Sequence, residues 1–453
     1  MIRKLALGKM MVVLACALYT PSAKAQLTPL EQQTLAQRFR PYFKTSLDTD
    51  QTFGDDEPER MHPCNWQWFV GHCNLIRNGE IVLTDKQLAE KPEKLIEPSG
   101  ADIRKSPSTS PGYILTLSNL AYLSGEPWDL VIHQGHGIYA HVEEINANLV
   151  NIEYSVLWPF NQTTVFGNHH GDLTTMTVIY DRGCDKLVRV TYVTHGKVIQ
   201  TFRITHPSEI QFGLLVGQDV NGNPTAISAA QLEIPDADER QDGPEYHSPC
   251  NPAIVYLAKD PVSSRYEHPV VYVEWGAHEF WPAPCGSVTT APNHNGDGLS
   301  FLPDVVQVLG TLDAPESVHL PFIYYNGKLG DDPQALLLHR TWYWREGRDH
   351  NRYGIPENRF TDRSPYEPHG QVAWPPTHDC SGGSQFVYVD GRNTGLINGT
   401  SQHPFRTVAQ ALAFVPLGGS IVIAPGSYPE NLVISRPSKL ISSGDIVTIG
   451  EPR

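Results

Sequence analysis

The chain has 453 residues, of which 40% are hydrophobic and 18% are charged. This composition excludes an intrinsically disordered chain, and the length leaves room for more than one domain. The net charge of −15, with no Lys- or Arg-rich face evident, argues against binding to nucleic acid through charge. The 37 glycines and 37 prolines are spread along the chain, which is typical of many short strands joined by turns.

Residues 1–25 have the pattern of a secretory signal peptide. A basic segment precedes the apolar run 10–18, and Ala23 and Ala25 are small residues at the cleavage positions. We therefore expect a secreted or periplasmic protein, with lipid anchoring at Cys16 as the alternative. No later stretch has the roughly 18 unbroken apolar residues of a spanning helix, so no transmembrane segment is expected.

Six cysteines remain after the signal peptide, and an even number is typical of disulfide-bonded exported proteins. They are Cys64, Cys73, Cys184, Cys250, Cys285 and Cys380. We predict a bond between Cys64 and Cys73, because a short hairpin would bring these two together. A zinc site is disfavoured because the sequence contains no Cys-x-x-Cys spacing.

The clearest predicted helix covers residues 28–40, where Thr28 and Glu31 form a capping box. A second, short helix is predicted for 84–90. Residues 43–78 between them show no clear period and are predicted to be irregular. The polar stretch 218–249 begins with an Asp-Val-Asn-Gly-Asn segment that lacks the last ligand of a calcium loop, so we predict a turn there.

Strand-like runs dominate the middle of the chain and follow one another at short intervals. They cover residues 137–142, 148–160, 173–181, 186–194, 197–203, 252–258 and 269–274. This succession is typical of a meander of antiparallel strands. We therefore predict a mainly β fold whose core, residues 26–376, is an antiparallel β-sandwich.

The composition changes near residue 380, where short strands recur at close and fairly regular spacing. We predict a helix over 407–414 and strands over 386–390, 420–424, 432–434, 439–442 and 446–449. This rhythm is typical of the coils of a parallel β-helix. Residues 377–453 are therefore expected to form a short C-terminal parallel β-helix-like module.

Several segments of residues 35–376 occur in an order that matches a known family. They are 35–42, 138–142, 154–161, 169–172, 269–278 and 325–330. The ordered set resembles the vacuolar-protein-sorting-62-like family, a group of β-rich proteins of poorly defined activity. His169, Gly171 and Asp172 match that family's His-Glu-Gly-Asp-Trp-Glu motif.

The same turn is distantly similar to the necrosis-inducing cytolysins, in which a Gly-His-Arg-His-Asp-Trp-Glu heptad and an upstream Asp hold a divalent metal. Asp172 and His169 match the heptad, whereas Thr174 stands at its Glu and Asn161 at the upstream Asp. The resemblance implies a site for a divalent metal such as calcium or magnesium. Two acidic ligands are missing, and such ions prefer several oxygen ligands.

The segments 389–395, 398–407 and 424–431 resemble the first coils of pectin-lyase-like parallel β-helices. The resemblance implies a parallel β-helix fold for the C-terminal residues. It does not carry over a lyase activity, because the matching segments cover only the first few coils and leave no room for a polysaccharide groove.

The candidate site consists of His169, His170 and Asp172 in the turn, with His278 as a distant partner. On a regular strand, His170 and Asp172 would share one face because they are two residues apart. Three interpretations remain open. One is a metal bound by His169 or His170 with Asp172 and His278. Another is a His–Asp acid–base pair, and the third is a buried His–Asp hydrogen bond that braces the sheet.

The first hypothesis for function is a secreted binding protein for a polysaccharide or another cell-envelope or cell-surface component. It follows from the sandwich pattern, the β-helix module and aromatic clusters such as 340–345, which are suited either to sugar stacking or to a core strand. The alternatives are a secreted hydrolase or lyase that uses His170, Asp172 and His278, and a cytolysin-like toxin.

Overall fold

The computed structural model describes most of the chain between Leu27 and Gly450. The described residues are 27–46, 62–77, 80–90, 113–119, 122, 124–161, 169–194, 197–204, 207–234, 239–240, 254–274, 278–284, 296, 298–309, 328–329, 386–434 and 437–450. The predicted signal peptide and the aromatic segment 340–345 lie outside these residues. The predicted domain boundaries, 26–376 and 377–453, remain predictions.

The helices of the described part are short. They are α1 (Pro29–Arg38), α2 (Trp66–Gly71), α3 (Asp85–Glu90), α4 (Trp128–Gln134) and α5 (Val408–Phe414). The predicted helices at α1, α3 and α5 are confirmed, and the Thr28–Glu31 capping box of α1 is present. Helix α2 lies in the segment predicted to be irregular, because six residues are too few to show a helical period. None of the described helices is long and apolar enough to span a membrane.

The protein is mainly β, as predicted. The first strands in the chain are β1 (Tyr42–Lys44), β2 (Cys73–Arg77), β3 (Glu80–Leu83), β4 (Tyr113–Leu117), β5 (Ile138–Glu144), β6 (Leu149–Asn161), β7 (His169–Asp181), β8 (Lys186–Thr194), β9 (Lys197–Arg203), β10 (Glu209–Gln218), β11 (Pro224–Glu233) and β12 (Glu239–Arg240). The later strands are β13 (Ile254–Lys259), β14 (Tyr266–Val273), β15 (Phe280–Trp281), β16 (Ser300–Phe301), β17 (Gln307–Val308), β18 (Lys328–Leu329), β19 (Phe386–Val389), β20 (Ser420–Ile423), β21 (Gly426–Tyr428), β22 (Lys439–Ser442) and β23 (Val447–Ile449).

The first large sheet has the strand order β12-β9-β8-β7-β6-β5-β17. Strands β5 to β9 pair with their sequence neighbours in antiparallel fashion, which confirms the predicted meander. The longest pair is β6 with β7, and it carries the candidate site. We call this sheet the meander sheet.

The second large sheet has the order β10-β11-β13-β14-β1-β16, with β15 paired to β14. Strands β10 and β11 were not predicted. β11 is rich in alanine, which is depleted in strands, whereas β10 contains the strand-favouring residues Ile210, Phe212 and Val216 and was overlooked. The turn between them is the predicted one: the Asp219 carboxylate accepts hydrogen bonds from the backbone N–H groups of Asn221 and Asn223, both at 2.9 Å. We call this sheet the β14 sheet.

The two large sheets share one apolar core. Tyr154, Met176 and Tyr192 of the meander sheet and Val271 and Val273 of the β14 sheet belong to the same buried cluster. The hydroxyl of Tyr192 also donates a hydrogen bond of 2.7 Å across the core to the carbonyl oxygen of Val270. A shared core of this kind is what the predicted sandwich requires.

A smaller sheet, of order β18-β4-β2-β3, covers part of the other face of the meander sheet. Its buried cluster contains Leu157 and Leu173 of the meander sheet together with Cys64 and Cys73. Both cysteines are free thiols, so the predicted bond between them is wrong. Cys64 precedes α2 and Cys73 follows it, which is a helical connection and not the short hairpin that the prediction required.

The C-terminal module consists of parallel strands stacked as β19-β20-β22 and β21-β23. This arrangement is the parallel β module that was predicted. The strand predicted over 432–434 is wrong, because residues 431–434 have no regular structure. The module docks on β10, where the N–H of Ile210 donates a 2.7 Å hydrogen bond to the carbonyl oxygen of Ile397.

Candidate functional site

The predicted site lies at one end of the β6–β7 pair. The register places Trp158 opposite Asp172, Phe160 opposite His170 and Asn161 opposite His169. The side chain of His169 lies outside the described part of the structure, so only its place in the register is known.

Gly171 reverses the alternation of side chains along β7. Its φ of +66° lies in the left-handed region, which glycine adopts at little cost. His170 therefore contacts strand β4 on one side of the sheet, whereas Asp172 contacts His278 on the other. The regular strand geometry under which His170 and Asp172 would share one face does not hold at Gly171.

Asp172 and His278 form a buried pair. The carboxylate Oδ2 of Asp172 lies 3.6 Å from Nδ1 of His278, which is within ion-pair range but longer than a hydrogen bond. The exposed fractions of the two residues are 2% and 1%. Asn161 donates from Nδ2 to the same Oδ2 at 3.3 Å. The structure thus brings together the predicted residues Asp172 and His278. It adds Asn161, which stands where the cytolysin motif has its upstream Asp.

The position of His278 is fixed by its backbone and by an aromatic contact. Its φ of +55° is unusual for a residue other than glycine, and its N–H donates to the carbonyl oxygen of Glu274 at 3.1 Å. The imidazole ring stacks on Trp158 with ring centroids 4.3 Å apart and planes 7° apart. Trp158 in turn donates from Nε1 to Thr174 Oγ1 at 3.1 Å.

His170 occupies a separate environment between β7 and β4. Its Nδ1 accepts a hydrogen bond of 2.8 Å from the backbone N–H of Leu117 and lies 2.9 Å from the hydroxyl of Thr116. Because Nδ1 is an acceptor here, the ring is neutral with its proton on Nε2. Its Nδ1 is therefore not available to Asp172 or to a metal.

The described donors at Asp172 are few for a metal site. No group of three or more His, Cys, Asp or Glu side chains suited to a metal occurs among the residues that the structure describes. Asp172 and His278 offer one carboxylate and one imidazole, and Asn161 directs its NH₂ group towards the carboxylate. Calcium and magnesium prefer more oxygen ligands than this set supplies.

A second polar feature, not predicted, is the buried polar face of the meander sheet. His141 lies opposite Glu153, and Glu153 lies opposite Thr177. All three are buried, and so are Asn151 and Ser155 on either side of Glu153 along β6. The alternation of polar and apolar residues in β6 was visible in the sequence, but such a face is usually solvent-exposed. Sequence reasoning therefore could not identify it as buried.

A cavity of about 500 Å³ lies at the junction between the β14 sheet and the C-terminal module. Its aromatic lining comes from both sides of the junction: Tyr266, Phe386, Tyr388, Phe405 and Phe414. Phe414 stacks on Tyr266 with centroids 5.8 Å apart and planes 16° apart. The volume falls in the range of small-molecule sites, about 300–1,000 Å³.

The polar lining of this cavity also comes from both sides. Asn398, Thr400 and Ser401 belong to the module, while Arg265 and Glu267 belong to β14 and the turn before it. The cavity thus combines aromatic surfaces with a small number of polar groups that could orient a ligand.

A network of charges lies behind Arg265 and Glu267. Arg38 of α1 donates to Glu267 Oε1 at 2.6 Å and to Asp185 Oδ1 at 2.6 Å. Arg265 donates to Asp185 Oδ2 at 3.0 Å, and its Nη2 lies 2.7 Å from Glu267 Oε1. Burial alone would raise the pKa of Asp185, but the hydrogen bond from Arg38 and the charges of both arginines outweigh it and lower that pKa.

Comparison with known proteins identifies only the C-terminal module. Residues 389–438 match the model of a family described as a protein of unknown function, DUF1565, which is associated with pectin-lyase-like β-helix proteins. No curated protein and no solved structure matches the chain. The match agrees with the parallel strands of the module and covers none of the Asp172 site.

Proposed function

We propose that the protein is a secreted binding protein that holds a carbohydrate or another cell-envelope component in the cavity between the β14 sheet and the C-terminal module. The observation that carries the proposal is the lining of this cavity. Aromatic surfaces from both parts of the chain, neutral hydrogen-bonding side chains of the module and charged side chains of the β14 side enclose a volume suited to a small ligand.

Two further observations support a secreted protein. Cys184 is disulfide-bonded, and disulfides persist mainly in oxidising compartments. Residues 1–25 have the composition of a secretory signal peptide. The resemblance of residues 35–376 to the vacuolar-protein-sorting-62-like family agrees with a β-rich protein and does not indicate a reaction.

The Asp172–His278 pair favours a second candidate, a secreted hydrolase or lyase. The carboxylate and the imidazole lie 3.6 Å apart, so they would have to close to hydrogen-bond distance before the carboxylate oriented the ring for acid–base chemistry. Both side chains are almost completely buried, however, so a substrate would have to displace part of the core to reach them. We therefore prefer a bracing role for the pair. A cytolysin-like activity has no support beyond the partial motif.

Binding to immobilised polysaccharides and to an array of cell-envelope oligosaccharides tests the proposal. We expect the wild-type protein to be retained by at least one glycan, and Tyr388→Ala to weaken retention at least tenfold. Leu417→Ala is the matched control, because Leu417 lies in the same module, is 51% exposed and does not line the cavity. Retention no better than that of an unrelated acidic protein would contradict the proposal.

A further inference from the structure

We infer that the last coil of the C-terminal module pairs with the same coil of a second copy of the chain, strand β22 against strand β22 in antiparallel orientation about a two-fold axis. The inference goes beyond the proposed function and does not depend on it. It follows from an unpaired strand edge, from the apolar residues exposed beside that edge, and from the charges at its two ends.

The two ends of the module's strand stack differ. At the first coil, the outer edge of β19 is occupied by the chain itself. The N–H of Tyr388 donates to the carbonyl oxygen of Gly399 at 2.9 Å, and the N–H of Phe405 donates to the carbonyl oxygen of Tyr388 at 2.8 Å. At the last coil, β22 ends the sheet of order β19-β20-β22, and no strand of the described residues pairs with its outer edge. The β19 edge of one copy therefore cannot pair with the β22 edge of another, which excludes head-to-tail stacking of modules.

The backbone groups at the outer edge of β22 belong to Leu440 and Ser442. Lys439 and Ser443 donate their N–H groups to carbonyl oxygens on the β20 side, both at 2.9 Å. Since alternate residues of a strand direct their N–H and C=O groups to opposite sides, those of Leu440 and Ser442 point away from β20. A row of such groups at a sheet edge is a template for pairing with another strand.

Apolar residues of the last coil are exposed where their counterpart in the coil before it is buried. Leu440 is the register partner of Ile421 in β20, which is 0% exposed. Leu440 and Ile441, in contrast, are each 39% exposed, and Ile446, which follows β22, is 83% exposed. Exposed apolar residues beside an unpaired strand edge are typical of an interaction surface.

Antiparallel pairing of two copies of β22 satisfies this edge. When Ile441 lies opposite Ile441 of the second copy, Leu440 lies opposite Ser442, and each such pair exchanges two N–H···O=C hydrogen bonds. The two Ile441 side chains then meet across the axis in the closer, non-hydrogen-bonded type of pair. Because each copy contributes the same residues, the contact is the reciprocal one of a closed two-fold dimer.

The charges at the ends of β22 favour this orientation. Lys439 begins the strand, Asp445 lies just beyond its other end, and both are exposed. Antiparallel pairing brings Lys439 of each copy towards Asp445 of the other, whereas parallel pairing brings like charges together. An exposed ion pair of this kind adds little affinity, so its effect is to orient the two strands.

The first experiment is sedimentation of the full chain over a wide range of protein concentrations. We expect the average mass to rise from that of a monomer to that of a dimer and no further, because the pairing occupies the β22 edge of both copies. A chain that remains monomeric at the highest concentration, because another segment covers this edge or because the edge does not pair, would overturn the inference. Assemblies larger than a dimer would overturn it as well.

The second experiment tests whether β22 forms the interface. Ile441→Lys sets two like charges opposite each other, and we expect it to weaken dimerisation about tenfold or more. Val262→Lys is the control, because Val262 is 90% exposed in the turn between β13 and β14, and it should leave dimerisation unchanged. Equal dimerisation of the two variants would contradict the assignment.

The third experiment tests the register without relying on a loss of association. In a non-hydrogen-bonded pair the two Cα atoms lie about 4.5 Å apart, a distance that a disulfide can span. We expect Ile441→Cys to form a covalent dimer with oxidised glutathione, and Val262→Cys to run as a monomer on a non-reducing gel. A dimer in solution whose Ile441→Cys variant does not cross-link would place the interface elsewhere and overturn the inference.

Discussion

The buried pair of Asp172 and His278 places two ionisable side chains inside the core. Removing the carboxylate takes a buried acceptor away from the amide of Asn161 and a polar neighbour away from His278, and the loss of such a buried contact typically costs about 1–3 kcal/mol. We expect Asp172→Ala to lower the free energy of unfolding by about 2 kcal/mol in urea denaturation.

A matched control for that variant is Asp445→Ala, which removes an exposed carboxylate and should change stability by less than about 0.5 kcal/mol. If Asp172→Ala were as stable as the wild type, the bracing role would be wrong. The pair would then be better interpreted as a functional site, held in place by its surroundings.

Gly171, with its left-handed φ, lies where the side chains of β7 change face between His170 and Asp172. Any side chain other than glycine is strained by about 1–2 kcal/mol at a φ of +66°. We expect Gly171→Ala to reduce the free energy of unfolding by at least that amount, measured in urea. Gly213→Ala in β10 is the control, because a Cβ atom there meets open space, and its effect should be near zero. Equal effects of the two substitutions would contradict the role given to Gly171.

The candidate site could be predicted from sequence only in part, because the conformation of Gly171 could not be predicted. Side chains two residues apart share one face only while the backbone stays extended, and on that basis His170 was placed beside Asp172. The φ of Gly171 is not visible in the sequence, and it moves His170 to Thr116. His278 was predicted as the distant partner from its place at the end of an aromatic strand. The structure places it within 3.6 Å of Asp172.

Asp185 provides a prediction for pH dependence. Its pKa in the folded protein is lowered, chiefly because Arg38 and Arg265 outweigh the effect of burial. Its contribution to stability is therefore complete above its unfolded pKa, about 4, and is lost as the pH falls through the folded pKa. We expect Asp185→Asn to be less stable at pH 7 and to lose stability less steeply than the wild type below about pH 4.

Urea midpoints of the wild type and of Asp185→Asn, measured from pH 7 down to pH 2, would show this difference. Asn tolerates the φ of +49° at this position, so the substitution tests the charge and not the backbone. Parallel pH profiles for the two proteins would contradict the prediction.

Among the elements, the strands of the meander sheet were the most predictable. Their alternating apolar and polar residues and the turn residues between them are local patterns that can be read from the sequence. The hairpin of β10 and β11 was missed because β11 is rich in alanine and its place in the sheet is set by pairing with β13, a contact that is distant in sequence. The predicted strand at 432–434 was wrong. A run of three apolar residues is too short to distinguish a strand of the coil from the loop between two strands.

Helix α5 is held by a carboxylate from the next turn of the module. Glu430 accepts hydrogen bonds from the N–H groups of Val408 and Ala409, at 2.9 and 2.8 Å, at the positive end of the helix dipole. We expect Glu430→Gln to lower the free energy of unfolding by about 1 kcal/mol, measured in urea, because it removes the charge and one acceptor oxygen. Glu80→Gln makes the same chemical change at an exposed strand position and should have no effect.

At the scale of the whole molecule, the C-terminal module and the β14 sheet share one aromatic cluster. Phe414 lies 5.8 Å from Tyr266, 6.0 Å from Phe212 and 5.5 Å from Phe405, measured between ring centroids. We expect Phe414→Ala to cost about 2 kcal/mol, because it truncates a partly buried ring at the junction. Calorimetry should then resolve two transitions in place of one, as the module loses its main contact.

The corresponding substitution at an exposed position of the module, Leu417→Ala, should leave a single transition. A single transition for Phe414→Ala, at an unchanged midpoint, would show that other contacts dock the module. Sequence reasoning predicted both parts of the chain, but their junction is built from residues about 200 positions apart, whose proximity has no local signature.

The junction cavity has one more consequence, which concerns cooperativity. A ligand that contacts both walls is lost whenever either part of the chain unfolds, so its binding free energy is added to the coupling between them. The occupied protein would then melt as one unit even where the empty protein does not. Placing a site between two parts of a chain thus makes the ligand a structural component of the protein that binds it.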